Sequence, residues 1–357
     1  MKEDFLQNSS LDRSPLAEID LSAIRSNAAK IKKTLNNTAF CAVVKSDAYG
    51  HGICAVADAV SDIADCFAVC SLKEAVKLRF CGITKPILCR LPVEDVYSAC
   101  LYGVQFAVSC HADYLRAVSV ANRRGVSPEV HFAVNSGMNR LGYDDVALLK
   151  RDVYCAAADG VKVAGVFSHF YDSSDEFCVK KQYRVFLPFA DCVRNAERNC
   201  VAHISASGGF LYGAYNLDMV RIGLLMYGYK PFNAAFAVTP AMKITAKRLL
   251  CRSVLKGENI LYGQFVCDGD SVVDIYDYGY ADGLMRLTRG VNDCCMSLSA
   301  AKGGCPTKSY GGERAVLFEN AACAAKANPI GLYRSMVFAG SSLPKKYKGA
   351  FVKSNED

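Results

Sequence analysis

At 357 residues, with 52% hydrophobic and 22% charged side chains, the chain is long enough for one large domain and a smaller one, each with a packed core. Its formal net charge of +7 is scattered, with no run of five or more Lys/Arg. That argues against nucleic-acid binding and suits an anionic small molecule such as a phosphorylated cofactor.

The stretch Met1 to Asn8 has no apolar run behind a basic start, so no secretory signal is expected. No window approaches eighteen uninterrupted apolar residues, so no membrane span is expected either, and the location predicted is cytoplasmic. The 18 Cys sit mostly inside apolar runs such as Cys66-Phe67-Ala68-Val69-Cys70, as reduced core thiols would. There is no Cys-x-x-Cys pair and the five His show no ligand spacing, which argues against a zinc site.

Ala17 to Leu21 alternates like a strand. Ser22 then caps a helix with apolar residues at Ile24, Ala28 and Ile31. Phe40 to Lys45 and Phe67 to Cys70 read as buried strands. Ser71 caps a helix that runs to Phe80 and stops at Gly82. Further strands are expected at Pro86 to Cys89, Val104 to Val108, Val130 to Val134, Val163 to Ser168 and Ala202 to Ser205. Repeated strand-helix units imply a parallel sheet, and eight of them close a barrel of roughly 200 to 250 residues. After about Tyr229 helical periodicity fades. Strand-like runs at Ala241 to Leu250, Ser271 to Tyr276 and Arg314 to Phe318 predict a smaller, mostly β domain, and 302 to 313 reads as loop. The expected architecture is an α/β chain: an N-terminal (β/α)8 barrel over 14–235 and a C-terminal mostly-β domain over 236–357. The strand at 14–21 packs with the latter.

Lys45 ends an apolar strand, where barrel loops build sites and partial desolvation frees an amine as nucleophile or base. On spacing alone, a Lys snorkelling at a strand end is an equal reading. His169 also falls at a strand end, and Ser207 followed by two Gly offers converging N–H groups, or a capped turn. Arg140 beside Gly142 reads on its own as a surface Arg near a turn. Tyr280 in Tyr278-Gly279-Tyr280-Ala281-Asp282-Gly283 reads on its own as a turn residue.

Taken together these motifs resemble the alanine racemase family over roughly residues 14 to 347. Ala42-Val43-Val44-Lys45-Ser46-Asp47-Ala48-Tyr49-Gly50-His51-Gly52 is similar to its pyridoxal-phosphate lysine motif. Gly137-Met138-Asn139-Arg140-Leu141-Gly142, His203 to Gly209, Met219 to Leu224 and Gly279 to Gly283 match further segments. The resemblance implies a barrel-type, pyridoxal-phosphate-dependent amino-acid racemase, an isomerase that interconverts L- and D-alanine for peptidoglycan. It implies a head-to-tail homodimer, with no nucleic-acid or membrane partner. Lys45 and Tyr280 would be the two bases, Tyr280 entering from the partner subunit. Lys45, Tyr49, Arg140, His169, Ser207, Arg221, Gly223, Leu224 and Tyr333 would hold the cofactor. Arg140 and Met296 would contact the substrate. Arg221 would face the pyridine nitrogen and leave it unprotonated, which favours racemisation over transamination.

Three departures accompany the match. Ala133 stands where the family often has a carbamylated lysine, with Asn135 in place of Asp. Ala206 replaces Asn, and Ser297 replaces the Asp of a Cys-Met-Asp motif. Ala133 and Asn135 also resemble the broad-specificity amino-acid racemases. The alternatives are therefore a broad-specificity or serine racemase, a decarboxylase of the same barrel type, and a non-catalytic pyridoxal-phosphate-binding paralogue.

Overall fold

In the computed structural model, which describes residues 15–260, 265–267, 269–279, 282, 305–308, 314–318, 336–337 and 343–349, the larger sheet consists of eight parallel strands. The chain opens with β1 (Leu16–Asp20) and α1 (Leu21–Thr34). It continues through β2 (Ala39–Val43), α2 (Ile53–Ala59), β3 (Cys66–Val69), α3 (Leu72–Phe80), β4 (Ile87–Cys89), α4 (Val96–Leu101) and β5 (Val104–Val108). Next come α5 (His111–Arg124), β6 (Glu129–Ala133), α6 (Val146–Cys155), β7 (Lys162–Phe167), α7 (Glu176–Ala196), β8 (Val201–His203), α8 (Ser207–Phe210) and β9 (Met219–Ile222).

Strands β2 to β9 run in the order β8-β7-β6-β5-β4-β3-β2-β9. The ring closes between β8 and β9, where Arg221 N donates to Ser205 O (3.0 Å) and Asp218 N to Ala202 O (3.1 Å). This is the (β/α)8 barrel. The eighth strand is Met219-Val220-Arg221-Ile222, buried throughout, with a charged residue in its interior. The helices begin and end where side-chain chemistry directs. Ser71 caps α3 by accepting from Glu74 N (3.2 Å), Asp145 caps α6, and Gly125 ends α5 at φ 63. Cys54 and Cys81 are joined in a disulfide between α2 and the end of α3, their Cα atoms 5.7 Å apart. That corrects the expectation of reduced thiols for this pair. Many of the other described cysteines are buried or half-buried thiols.

The chain divides into two units: Ala23–Ala48 with Ile53–Thr239, which holds the barrel, and Met1–Ser22 with Tyr49–Gly52 and Pro240–Asp357. In the second unit, β10 (Met242–Val254), β11 (Asn259–Ile260), β12 (Phe265–Val266), β13 (Ser271–Tyr276), β14 (Cys305–Lys308), β15 (Arg314–Phe318) and β16 (Lys345–Lys348) follow. Its main sheet runs β14-β13-β10-β1-β16, with β15 also on β10. The long β10 shifts register between Arg248 and Leu250, and so serves β1 and β15 with one half and β13 with the other. β14 lies inside the stretch expected to be loop. Pairing with β13 recruits it, and Pro306 is tolerated because the strand is at the sheet edge. No helix among the described residues is long and apolar enough to cross a membrane.

Candidate active site

Lys45 follows β2 at the C-terminal mouth of the barrel. The next residues adopt a left-handed turn: φ is 53 at Ser46, 51 at Asp47, 55 at Ala48 and 55 at Tyr49. Each such residue carries a steric penalty that only a surrounding scaffold sustains. Glu74, in the first turn of α3, supplies that scaffold. Its Oε1 accepts from Ser46 N (2.5 Å) and Asp47 N (3.4 Å), and its Oε2 from Cys70 N (3.0 Å). Asp47 Oδ1 accepts in turn from Ile53 N (3.0 Å) and pairs with Lys77 (3.4 Å). The Lys45 side chain therefore leaves a clamped stretch of backbone.

Arg221, on β9, is 1% exposed. Its Nη2 donates to Ser168 O (2.7 Å) and Ile204 O (3.1 Å) and lies 3.3 Å from His169 Nδ1. Its Nη1 meets His203 Nδ1 at 2.5 Å, and the guanidinium carbon stands 5.5 Å from the centre of the Phe167 ring. Arg221 Nε is buried with no partner among the described residues. Strands β7, β8 and β9 thus hold the guanidinium in one orientation.

Arg90 was not foreseen. The register pairs Val43 with Ala68 and Val69 with Cys89, so Lys45, Cys70 and Arg90 stand in one row at three neighbouring strand ends. Arg90 Nε is also buried without a partner among the described residues. The charges bear on one another. Burial first, then Arg90 and Arg140, push the Lys45 amine down, against Cys70 and Glu74. Burial, then Arg90, Arg221, Arg140 and Lys45, hold His169 well below the usual imidazole range, so it is neutral. Burial, Arg90 and Arg140 push Arg221 down to about 9, which leaves it a cation at neutral pH. Lys45, Arg90, Arg140, His169 and Arg221 therefore share one electropositive mouth, a setting that calls for an anion.

Arg140 is exposed, in the loop after β6. Asn135 does not hold it. The Asn135 amide donates to Asn139 Oδ1 (3.0 Å) and Asp144 Oδ1 (2.7 Å), and its oxygen accepts from Gly137 N and Asn139 N. Ala133 is buried, so no amine stands beside Arg140 there. Ser207 starts α8, and its Oγ lies 3.4 Å from Leu225 N, which brings the Gly223–Leu224 turn alongside. A Cβ on Gly208 would strike the Ser173 side chain, so any larger residue there would have to displace Ser173.

Tyr49 belongs to the second unit, where it is 8% exposed and its carbonyl lies 3.0 Å from His51 Nδ1. Gly279 and Asp282 close a turn: Asp282 Oδ2 accepts from Gly279 N (3.0 Å) and Asp282 N donates to Gly279 O (3.0 Å). Tyr280, Met296, Ser297 and Tyr333 lie outside the described residues.

The family described as "Alanine racemase, N-terminal domain" matches residues 19–231. An alanine racemase of Thermodesulfovibrio yellowstonii is 36% identical over 282 residues, 76% of this chain and 74% of that protein. One from Treponema denticola is 32% identical over 295 residues, 78% of each. Among solved structures, an alanine racemase from a D-cycloserine-producing Streptomyces lavendulae aligns with a TM-score of 0.84 and 27% identity. It covers 94% of this chain and 97% of its own. The Enterococcus faecalis structure (TM-score 0.85, 24% identity, 94% and 98% covered) shares the fold.

Proposed function

The chain belongs to the alanine racemase family, and from that premise we propose that it interconverts L- and D-alanine with pyridoxal phosphate as cofactor, supplying D-alanine for peptidoglycan. The observation that carries the reading is geometric: Lys45 stands at the end of β2 in one row with Arg90, and Arg221 on the neighbouring strand β9 is held against His169. The donor set fits a phosphorylated, anionic pyridoxal. Two buried guanidinium Nε atoms have no partner among the described residues, and a Cβ at Gly208 would collide with the Ser173 side chain. When bound, that cofactor supplies an aldehyde for an amine and an electron-withdrawing ring.

Lys45 would hold the cofactor and exchange a proton with the substrate α-carbon on one face. Its depressed pKa keeps more of the amine neutral near neutral pH than an ordinary lysine would. Tyr280 would serve the opposite face from a second copy of the chain, which makes a head-to-tail homodimer part of the proposal. Arg221 is fixed by four groups and keeps its proton, so it would leave a facing ring nitrogen unprotonated. Neutral His169 would pack beside the ring. Arg140 would hold an anionic oxygen of cofactor or substrate, with Met296 near the substrate. Ser207, Gly223, Leu224 and Tyr333 would receive the phosphate, and Tyr49 would complete the cofactor contacts.

A wider substrate range is the second reading, favoured by the buried Ala133 and by an Asn135 engaged elsewhere. The test is the purified protein with pyridoxal phosphate and L-alanine, L-serine or L-lysine in deuterated water. Loss of optical rotation with α-deuterium uptake on alanine alone supports the first reading. Comparable rates on serine or lysine favour the second. A cofactor absorbance change without exchange on any of them overturns both and leaves a binding paralogue.

A further inference from the structure

Beneath Arg221 the barrel interior holds a continuous file of polar groups. His203 Nε2 lies 3.0 Å from His131 Nδ1, and His131 Nε2 lies 3.1 Å from Gln105 Oε1. Gln105 Nε2 donates to Glu129 Oε2 (3.0 Å), whose other oxygen accepts from Lys162 Nζ (2.6 Å). With the Arg221–His203 contact of 2.5 Å, the file links β9, β8, β6, β5 and β7.

The direction of every bond follows from its two ends. A guanidinium only donates, so His203 Nδ1 must accept and its Nε2 carries the proton. His131 Nδ1 therefore accepts and its Nε2–H donates to the Gln105 oxygen. That leaves the Gln105 amide to donate to Glu129, an acceptor only. Reversing the buried His203 links would set two donors or two acceptors face to face in a dry interior, and the part-buried outer links take their direction from the Glu129 carboxylate. Burial supports the neutral rings, pushing His131 down to about 3 and His203 well below its ordinary value. The slot is also shaped for the file: a Cβ on Gly165 would come within 2.5 Å of both His131 Nδ1 and Val201 O.

We propose that Gln105, His131 and Glu129 are positioning residues for Arg221. They form a one-way file of donated hydrogen bonds, anchored on the Glu129 carboxylate, that keeps His203 Nδ1 an acceptor and so fixes the guanidinium. This rests on the reading of Arg221 given above and extends it to residues that touch neither cofactor nor substrate.

The test is nitrogen NMR of the full chain with labelled histidine, before and after addition of pyridoxal phosphate. His131 and His203 are both expected as neutral Nε2–H tautomers in each state. Gln105→Met, which offers neither acceptor nor donor, leaves the His131 Nε2–H without its acceptor and is expected to shift the nitrogen signals of His131 and, one link further up the file, of His203, whose Nδ1 still accepts from Arg221. Its racemisation kcat should fall about tenfold, as for one weakened charge-assisted hydrogen bond, with KM little changed. Glu129→Gln, which keeps a carbonyl acceptor for Gln105, should retain the parent tautomers. An Nδ1–H or imidazolium His203 in the unsubstituted protein, or a His203 signal indifferent to Gln105→Met, overturns the proposal. The parent tautomers are decisive even if that variant fails to fold. Whether the unsubstituted protein racemises alanine is a separate measurement, so failure of the functional reading is told apart from failure of the file.

Discussion

Glu74 is the residue whose removal tests most directly how the barrel presents Lys45. Ser46, Asp47, Ala48 and Tyr49 are non-glycine residues at φ 51 to 55. At roughly 1–2 kcal/mol each, these four left-handed conformers carry about 4–8 kcal/mol of strain. The Glu74 carboxylate accepts from Ser46 N at 2.5 Å and Cys70 N at 3.0 Å, with a longer contact to Asp47 N. Two charge-assisted bonds at about 1.5–3 kcal/mol each offset most of that strain. Strain and restraint are therefore nearly balanced, and removing the restraint should let the turn relax and carry Lys45 away.

Glu74→Ala is expected to destabilise the protein by about 3 kcal/mol, because the relaxed turn recovers part of the strain as the bonds are lost. If that difference falls on the clamped conformer alone, its population drops about a hundredfold, and apparent cofactor affinity with it. Glu74→Gln keeps one carbonyl acceptor and should lose about tenfold. The assay is titration with pyridoxal phosphate followed by absorbance, beside denaturant melts of the same variants. A Glu74→Ala protein that binds cofactor and exchanges alanine protons at parent rates would refute the claim that Glu74 holds the turn.

Four other expectations are simpler to state. Gly165→Ala overpacks the slot beside His131 and should lower the denaturant midpoint by the equivalent of ~1–3 kcal/mol; an unchanged midpoint would mean the slot has slack. Lys45 has a folded pKa below its unfolded value, so its burial is unfavourable at low and neutral pH. That penalty is relieved as pH rises through the folded value towards the ordinary lysine range. Amine-directed labelling should therefore reach Lys45 at lower pH than surface lysines, and Lys45→Met should raise the Tm of the cofactor-free protein at pH 7. Asp152, 1% exposed, accepts from Tyr143 Oη at 2.8 Å and contacts His111 and Arg151. Asp152→Ala should cost about 1–3 kcal/mol by urea melt, because it leaves the buried Tyr143 hydroxyl without its acceptor.

The barrel was legible because seven of its strands are short apolar runs between capped helices, and Lys45, His169 and Ser207 stand at or after strand ends where that pattern puts them. The eighth strand was read only as a motif. Met-Val-Arg-Ile carries its Arg into the interior, and a hydropathy reading discounts a strand with a charge at its centre. Glu74 looked like an ordinary acid in the first turn of a helix, the role its Ser71 cap suggests, since only the fold brings Ser46 and Cys70 to it. Arg90 had a weak signal: it lies two residues beyond the buried Leu88, and so on the same face of the strand. Gln105 and His131, single polar residues inside apolar strands, carried the same kind of signal. The pairing of Cys305–Lys308 depends on a distant strand, so local composition could only suggest a loop.

The charges at the barrel mouth make one last consequence testable. Arg90 bears unfavourably on Lys45, Arg140 and Arg221 at once. Among the described residues, the carboxylate that bears on Lys45 is Glu74, which is already committed to the turn. The cofactor-free protein therefore holds like charges together at a site built for an anion, whereas at the other end of the file Glu129 and Lys162 offset each other. Removing one cation should act in opposite directions with and without ligand. Arg90→Met is expected to raise the Tm of the cofactor-free protein by relieving the repulsion. It should also shrink the further rise on adding pyridoxal phosphate, a rise worth ~2.7 kcal/mol for the parent at a hundred times Kd. Matched thermal melts of parent and variant, with and without the cofactor, give both numbers. If Arg90→Met lowers the cofactor-free Tm and leaves the ligand-induced rise intact, Arg90 is a packing residue and the electrostatic account of the mouth is wrong.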